Sequence, residues 1–234
     1  MRSGLFKFAF YGWSTVFCVL FLPTLLLPRK YLVAGQTMWS HSVVLLVRIV
    51  GGLKVEIRGR ENIPAGPCVI AMKHQSALDT FVLHSLLRDP AIVMKAELLR
   101  IPIYGFFCRK SGMIPIDREA GGTSMRKLMK SSRLALNDDR PVVIFPEGTR
   151  TLPGEHRTYQ PGIYGLYKYL SKPVVPVAVN SGLHWSKSGE IRPGGTIVFE
   201  FLEPIAPGMA RTEFLPLLEH NIEGASRRLL LPAE

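Results

Sequence analysis

The N-terminal region of this chain is almost free of charge, and this feature constrains the fold more than any other. Residues 8–28 form a run of 21 residues without a charged side chain, and a second uncharged run, residues 31–47, follows after only Arg29 and Lys30. As a helix, the first run would be about 30 Å long, which matches the hydrocarbon layer of a bilayer. A cleaved signal peptide is a poor explanation, because the apolar stretch is too long and the small-residue site near Ala34 is weak.

Three arrangements of the two runs remain open: a single transmembrane helix, a hairpin of two helices that dips into one leaflet, or a buried core hairpin. Basic residues flank the first run on both sides, with Arg2 and Lys7 before it and Arg29 and Lys30 after it. This pattern favours a cytoplasmic location for both ends. We therefore predict a membrane-associated two-helix hairpin in residues 1–50, at the cytoplasmic face of the inner (plasma) membrane.

Residues 51–234 are predicted to form an α/β domain in which a layered mixed sheet is flanked by helices. Gly51 and Gly52 separate this region from the uncharged runs, and short apolar runs then alternate with helical patterns. The predicted strands are 55–58, 68–71, 91–94, 113–116, 142–145, 174–179 and 197–201. The predicted helices are 77–88, 123–137 and 212–230.

Composition limits the class of protein further. With 47% apolar and 20% charged residues, disorder is excluded, and only the first fifty residues are continuously apolar, so a polytopic membrane protein is excluded too. The three cysteines form no CxxC pair, which indicates reduced thiols and neither a disulfide framework nor a zinc site. The net charge of +11 lies entirely in residues 1–150, which points to an anionic partner: lipid head groups, nucleic acid or an acidic protein.

The segment KHQSALDT, residues 73–80, places an imidazole and a carboxylate directly after an apolar strand. His74 and Asp79 would not share a face of a regular helix, so they can meet only if His74 precedes the helix and Asp79 lies in its first turn. Asp79 would then orient the imidazole and leave its second nitrogen free to take a proton. The alternative is structural: Ser76 and Asp79 form a capping box, and His74 is an incidental loop residue.

The segment FPEGTR, residues 145–150, follows another apolar strand and contains the most specific signal. Gly148 permits a tight turn, which presents Glu147, Thr149 and Arg150 together at the carboxyl end of a strand. Ligands usually bind at this end of the strands in α/β folds. An ordinary polar turn is the alternative.

Two further segments are less specific. GMIPIDR, residues 112–118, ends a predicted strand in Arg118, whose guanidinium has a geometry that suits phosphate, although a solvated strand end is the alternative. VVPVAVN, residues 174–180, contains Pro176 within a buried apolar run, where it indicates a bulge, the wall of an apolar cavity or ordinary core packing.

In this order, the four segments resemble the glycerophospholipid acyltransferase family, which contains the 1-acylglycerol-3-phosphate acyltransferases. The family's His and Asp, separated by four residues, match His74 and Asp79, and its Phe-Pro-Glu-Gly-Thr-Arg block matches residues 145–150 at every position. The other matches are Lys95, Gly112 with Arg118, and Pro176. Before the His, where the family frequently has Asn, this chain has Lys73.

The resemblance implies an enzyme that transfers a fatty acyl group from an acyl thioester to the sn-2 hydroxyl of 1-acyl-sn-glycerol 3-phosphate, giving phosphatidic acid. It implies that His74 is the general base and that Asp79 orients it. The residues assigned to substrate binding are Lys95, Arg118, Glu147, Gly148, Thr149 and Arg150, of which Glu147 would bond the glycerol backbone or a nearby amide, and Pro176 is assigned to an acyl pocket or to the structure. Since no Ser or Cys occupies a nucleophile's place, we expect direct transfer, without a cofactor or a metal.

The expected partners are a membrane lipid acceptor, acyl carrier protein or acyl-coenzyme A as the donor, and an anionic membrane surface. The predicted helix 123–137 has a basic face that could dock the acidic carrier protein or the anionic leaflet, and an ordinary solvated face is the alternative. No nucleic acid is expected, because aromatic stacking blocks and recognition motifs are absent from the sequence. The rival functions are a sibling acyltransferase acting on glycerol 3-phosphate or a lyso-ornithine lipid, and a hydrolase of phosphate esters or thioesters.

Overall fold

The computed structural model describes residues 2–117 and 121–231. Within these ranges the helices are α1 Arg2–Phe21, α2 Arg29–Ile49, α3 Leu78–Phe81, α4 Leu83–Leu86, α5 Tyr104–Ser111, α6 Gly121–Asn137, α7 Gly162–Leu170, α8 Ser181–His184 and α9 Arg211–Arg228. The strands are β1 Lys54–Arg58, β2 Val69–Met72, β3 Ala91–Lys95, β4 Ile114–Ile116, β5 Val142–Ile144, β6 Val174–Val179 and β7 Thr196–Phe201. Three 3₁₀ turns, Leu22–Leu25, Arg60–Asn62 and Ala96–Arg100, complete these elements.

The strands form one seven-stranded sheet in the order β1-β7-β6-β2-β5-β3-β4. Strands β6, β2, β5, β3 and β4 are parallel to one another, whereas β7 is antiparallel to β6 and parallel to β1. The predicted class, a layered mixed sheet flanked by helices, is therefore confirmed. Because five neighbouring strands share one direction, their carboxyl ends meet along a single edge of the sheet.

Helices cover both faces of the sheet, so its central strands are buried throughout. Alternate residues of each strand point to opposite faces. On one face, Ile70 packs in a cluster with Phe10 of α1 and Val43 of α2. On the other face, Val69 packs in a cluster that includes Leu218 of α9, together with residues of α6 and α7.

The two N-terminal helices form a hairpin that packs against the first of these faces. Trp13 Nε1 donates a hydrogen bond to Ser42 Oγ at 2.7 Å, and Trp39 Nε1 donates to Ser14 Oγ at 3.3 Å. Both helices are long and apolar enough to cross a membrane, judged by length and composition. Much of their outer surface is apolar and exposed, which is compatible with membrane association.

The hairpin also shares the core of the α/β region. Phe6 and Phe10 of α1 lie in the same buried cluster as the strands, and Arg29 at the start of α2 forms a two-pronged ion pair with Asp89, with both N–O distances 2.7 Å. Helix α2 ends at Ile49, next to the predicted boundary. The two parts share one buried cluster, so packing does not mark a boundary between them. The division into residues 1–50 and 51–234 stays a prediction.

The predicted helix 77–88 is wrong as a single element, because it is divided into α3 and α4. Ser40 of α2 is fully buried, donates to the Phe81 carbonyl at 2.7 Å and accepts from the Ser85 N–H at 3.0 Å. In a continuous helix, the N–H of Ser85 would donate to the carbonyl of Phe81 directly. Insertion of the Ser40 hydroxyl between them therefore interrupts the helix.

Candidate active site

The carboxyl-terminal edge of the parallel strands brings distant segments of the sequence side by side. The strands lie in the order β2, β5, β3, β4, and each carries a predicted segment or site residue at or just beyond its end. The residues at these ends are His74 after β2, Phe145 after β5, Lys95 at the end of β3 and Asp117 after β4. The segment of residues 174–180 ends at this edge too, because β6 is parallel to β2. The topology thus places all four predicted segments on one edge, where ligands bind in open α/β sheets.

His74 and Asp79 are in direct contact at this edge. His74 Nδ1 lies 3.1 Å from Asp79 Oδ2, and the imidazole is 14% exposed whereas the carboxylate is fully buried. His74 lies in the loop after β2 and Asp79 in the first turn of α3, as the dyad hypothesis requires. The pair is therefore an imidazole at the surface of the site, supported from below by a carboxylate.

Asp79 also closes the loop that precedes α3. Its Oδ2 atom accepts from the backbone N–H groups of Gln75 at 2.6 Å and Ser76 at 2.8 Å, and Ser76 Oγ accepts from the N–H of Leu78 at 3.1 Å. The carboxylate of Asp79 therefore has both of the functions considered for it: it bonds the backbone before α3, and it contacts the imidazole of His74. Because Asp79 Oδ2 serves as an acceptor for two amides, His74 Nδ1 is the donor in their contact, and Nε2 carries the free lone pair.

The FPEGTR segment forms the tight turn that its glycine predicts. The N–H of Gly148 donates to the carbonyl of Phe145 at 2.9 Å, and Gly148 has a φ of +73°, which disfavours any side chain there. The Phe145 ring stacks on the His74 imidazole, with ring centroids 4.3 Å apart and planes 29° from parallel. This contact fixes one face of the imidazole against the neighbouring strand.

Glu147 faces the protein interior. Only 3% of it is exposed; its Oε2 accepts from the backbone N–H of His74 at 3.0 Å, and its Oε1 lies 2.8 Å from Lys73 Nζ. Of the two expected partners, a nearby amide and the glycerol backbone, the structure shows the amide. The Thr151 N–H donates to the His74 carbonyl at 2.8 Å, so both backbone groups of His74 are held.

Beneath the site lies a buried charge cluster, consisting of Lys73, Glu147, Glu223 and Tyr159. Lys73 is 1% exposed, and its ammonium group lies 2.8 Å and 2.9 Å from the two carboxylate oxygens of Glu223, besides its contact with Glu147. Tyr159 donates its hydroxyl hydrogen to Glu223 Oε1 at 3.1 Å. The cluster connects α9 to the backbone of His74.

Sequence reasoning assigned no role to Lys73, Tyr159 or Glu223. The available signals were a lysine that directly follows a buried strand and a glutamate on the apolar face of α9, next to Ile222. A buried charge requires a partner of opposite charge. This principle predicts that a buried lysine has acidic partners, but only the three-dimensional fold identifies Glu147 and Glu223 as the partners of Lys73.

Three members of this cluster, Lys73, Glu147 and Tyr159, have pKa values raised above their ordinary values. Burial lowers the pKa of Lys73, but Glu147 and Glu223 outweigh burial and raise that pKa above its ordinary value. Burial also raises the pKa of Glu147, against the opposing effects of Lys73 and the His74 amide. The pKa of Tyr159 is raised by burial and by both carboxylates, so its phenol remains a donor.

Two cations at the edge have no protein partner within residues 2–117 and 121–231. Lys95 is exposed at the end of β3, and Arg150 is half-buried at the end of the FPEGTR turn, beside Thr149. Neither side chain forms an ion pair or hydrogen bond in these ranges. Both cations are thus available to an anion, and Arg118, the third predicted cation, lies outside the described residues.

The other two predicted positions are structural in this fold. Gly112 ends α5 with a φ of +70°, in the conformation that commonly terminates helices. Pro176 lies within β6, and the register with β7 shifts by one residue between the Val177–Phe201 and Val174–Ile205 pairs that flank it. The missing N–H of Pro176 therefore falls at an interruption of the ladder, as the bulge interpretation required.

The fold and the edge site define an α/β protein with an oriented imidazole and unpaired cations on one side of a mixed sheet. A family model described as Acyltransferase matches residues 54–180, more than half of the chain. The chain belongs to this acyltransferase family. The matched region contains the His74–Asp79 pair, Lys95 and the FPEGTR turn.

The chain is also similar to individual acyltransferases. The chain is 38% identical over 159 residues, 68% of its length, to a 1-acyl-sn-glycerol-3-phosphate acyltransferase from Pseudomonas aeruginosa, and this match spans 62% of that relative. It is 28% identical over 226 residues to 1-acyl-sn-glycerol-3-phosphate acyltransferase alpha from Mus musculus, covering 93% of this chain and 77% of the mouse protein. The crystal structure of the 1-acyl-sn-glycerophosphate (LPA) acyltransferase PlsC from Thermotoga maritima has the same fold, with a TM-score of 0.83, 20% identity and full coverage of both chains.

Proposed function

We propose that this protein transfers a fatty acyl group from an acyl thioester to the sn-2 hydroxyl of 1-acyl-sn-glycerol 3-phosphate, giving phosphatidic acid. The observation that carries this proposal is the state of His74: Nδ1 is bound to Asp79, and Nε2 has no partner within the described ranges. The family match supports acyl transfer. The names of the Pseudomonas and mouse relatives support this acceptor.

In the proposed reaction, His74 Nε2 accepts the proton of the acceptor hydroxyl while that oxygen attacks the thioester carbonyl. A C–O bond forms, the tetrahedral intermediate collapses with loss of the C–S bond, and the leaving thiolate takes the proton back from the imidazolium. Asp79 stabilises the imidazolium between these steps. A positioned base of this kind contributes about 10²–10⁴ in rate.

The acceptor phosphate would bind the unpaired cations. Arg150 offers two parallel N–H donors to phosphate oxygens, and Lys95 adds a second positive charge. We include Arg118 and Thr149 as further ligands on the strength of the sequence pattern. Together these contacts would hold the hydroxyl beside His74, so that binding supplies the orientation that the reaction needs.

Glu147 has a positioning role in this proposal. Its carboxylate holds the His74 backbone from below, and it lies too deep to contact a bound acceptor. Gly148 allows the turn to approach the substrate closely. Pro176 belongs to the scaffold of β6, since its ring is buried within the sheet.

The acyl donor would be acyl carrier protein or acyl-coenzyme A, and the acceptor would come from the membrane. The hairpin of α1 and α2 would hold the protein on the cytoplasmic face of the inner membrane, with its basic flanks against anionic lipids. Helix α6 exposes Arg126, Lys127 and Lys130 in a row that an acidic carrier protein could contact.

Product analysis with purified protein tests the proposal. The protein is incubated with 1-acyl-sn-glycerol 3-phosphate in vesicles and with labelled acyl carrier protein or acyl-coenzyme A, and we expect labelled phosphatidic acid with at least one donor. Glycerol 3-phosphate and a lyso-ornithine lipid serve as alternative acceptors. Transfer to one of these and not to 1-acyl-sn-glycerol 3-phosphate would replace the proposed substrate, and release of free fatty acid without an acceptor would indicate a hydrolase.

A further inference from the structure

The segment that runs from the turn after β3 into the first turn of α5 carries an apolar surface beside the N-terminal hairpin. In this insertion segment, defined as residues 98–106, five apolar side chains are between 36% and 61% exposed within the described structure. They are Leu98, Ile101, Ile103, Tyr104 and Phe106. Contiguous exposed apolar side chains of this kind mark an interaction surface.

The backbone of the insertion segment is tightly folded and strained. Ile103 has a φ of +64° and a ψ of −57°, and the N–H of Tyr104 donates to the carbonyl of Pro102 at 2.6 Å, which together form a strained γ-turn. A β-branched residue rarely adopts this conformation. The segment folds tightly around the turn, since a Cβ at Gly105 would lie only 2.1 Å from the carbonyl oxygen of Leu99. Strain that the surroundings hold in place is typical of functional sites.

The apolar surface continues onto the tip of the hairpin. Lys110 of α5 donates to the Leu25 carbonyl at 2.6 Å and also to the Leu27 carbonyl, so α5 is bound to the turn between α1 and α2. Phe106 is four residues before Lys110 and therefore lies on the same side of α5. At the tip itself, Leu26 is 92% exposed.

The segment and its flanking residues are also basic. Residues 95–110 contain four cations, Lys95, Arg100, Arg109 and Lys110, against one acid, Glu97. Apolar side chains surrounded by cations are typical of proteins that lie in the interface of an anionic bilayer.

We propose that the insertion segment enters an anionic phospholipid bilayer beside the hairpin and so forms a second membrane contact within the α/β region. The proposal rests on the proposed function, because it concerns how a membrane lipid reaches the site. Lys95 lies three residues before Leu98, so insertion holds this cation at the level of the lipid head groups. The phosphate of a membrane-bound lysolipid lies at that same level.

The first test measures whether residue 106 lies within the lipid bilayer. A fluorescent label is attached to Phe106→Cys or to Leu217→Cys, each in a Cys18→Ser background, since Cys68 and Cys108 are buried. The proteins are bound to vesicles of phosphatidylethanolamine and phosphatidylglycerol that contain quencher-bearing lipids. We expect quenching of the label at position 106 and little at position 217, which lies on α9 against the opposite face of the sheet. Equal quenching at both positions, or none at position 106, would overturn the proposal.

The second test separates membrane access from catalysis. We expect the variant Ile101→Ser/Phe106→Ser to lose about tenfold or more in kcat/KM for a long-chain acceptor in vesicles, because two inserted apolar side chains are removed. With a short-chain acceptor dissolved in water, its kcat/KM should stay within about twofold of the unaltered protein. The control variant, Ile57→Ser/Leu217→Ser, changes side chains of 37% and 36% exposure and should behave normally with both acceptors.

The outcomes of the two tests are distinguishable. A loss with both acceptors would indicate a structural role, and a loss with neither would indicate that the segment stays outside the bilayer; each result overturns the proposal. If the label on Phe106→Cys is not quenched and the serine variant has an altered oligomeric state in detergent, the surface is a contact between copies of the chain, and the proposal is overturned. If the unaltered protein transfers no acyl group to any acceptor, the proposed function fails, and the quenching test still decides the membrane contact.

Discussion

Lys73 Nζ lies 2.8 Å and 2.9 Å from the two carboxylate oxygens of Glu223, and this pair joins the C-terminal helix α9 to the loop that carries His74. The same ammonium group lies 2.8 Å from Glu147, which accepts the N–H of His74 through its other oxygen. Two buried carboxylates therefore share one buried cation. The position of the proposed base depends on a chain of contacts that reaches Glu223, which is 150 residues from Lys73 in sequence.

We predict that Lys73→Met lowers the free energy of unfolding by about 3–5 kcal/mol, because it leaves two buried carboxylates without their cation. The loss is measured by thermal denaturation in mild detergent. The matched control is Glu223→Gln, which keeps Lys73 paired with Glu147 and leaves an amide oxygen for the Tyr159 hydroxyl. This control should cost about 1 kcal/mol or less. Equal losses in the two variants would contradict the interpretation that the single charge of Lys73 compensates both buried carboxylates.

His74→Ala is expected to lower kcat by about 10²–10⁴, since it removes the proposed base while the Asp79 contacts to the backbone remain. Asp79→Asn should also lower kcat, because the amide no longer fixes the imidazole tautomer. Initial rates with a saturating donor give both values. Thermal denaturation and vesicle binding of His74→Ala should match the unaltered protein, and substantial residual turnover would count against the role of His74.

Arg150→Ala should raise the KM for the acceptor by about 10–100-fold and leave the KM for the donor nearly unchanged, because a charged hydrogen bond to the phosphate is lost. The measurement varies each substrate separately. Arg157→Ala is the matched control, since Arg157 is exposed nearby and pairs with Glu155. Similar effects on both KM values would remove Arg150 from the phosphate site.

Most of the sheet could be predicted from the sequence, because buried strands and their turns leave local signals. The predicted strand 174–179 matches β6 at both ends, and the predicted strand 197–201 differs from β7 by one residue. Helices α5 and α7 were not predicted, since both are short and rich in aromatic or glycine residues. The division of α3 from α4 depends on the Ser40 hydroxyl of a distant helix, and no local pattern carries that information.

At the candidate site, the sequence pattern allowed a contact between His74 and Asp79, because both residues belong to one short loop and its helix, and the family resemblance implied that contact. It also predicted the turn at Gly148. It did not reveal that Glu147 points inward. The orientation of that side chain depends on Lys73, which directly follows β2, and through Lys73 on α9. Contacts between distant segments were therefore the part that the sequence left open.

The row of cations on α6 gives a prediction about the donor. Reversing Arg126, Lys127 and Lys130 to Glu should raise the KM for acyl carrier protein by about tenfold at low salt, and much less for acyl-coenzyme A, because the acidic protein contacts a larger surface. High salt should weaken the effect. The control reverses Arg211, Arg227 and Arg228, which lie on α9. If the α6 variant behaves like the control, its charges form an ordinary solvated face.

The stability of the protein should fall at mildly acidic pH because of His84 on α4. Burial lowers the pKa of His84 to about 4; nearby Asp89 opposes this shift, and Arg140 and Arg29 add to it. Neither ring nitrogen has a hydrogen-bond partner in the described structure.

The unfolded chain takes up the proton near pH 6.5, and the folded chain does so near pH 4. Between these values only the unfolded state is protonated, so the contribution of neutral His84 is complete above about pH 6.5 and is lost as the pH falls toward 4. We expect the free energy of unfolding of the unaltered protein to fall by about 3 kcal/mol more than that of His84→Leu between pH 7 and pH 4. Denaturation curves of both proteins across this range provide the measurement. Parallel pH profiles would show that the environment of His84 does not disfavour its charged form.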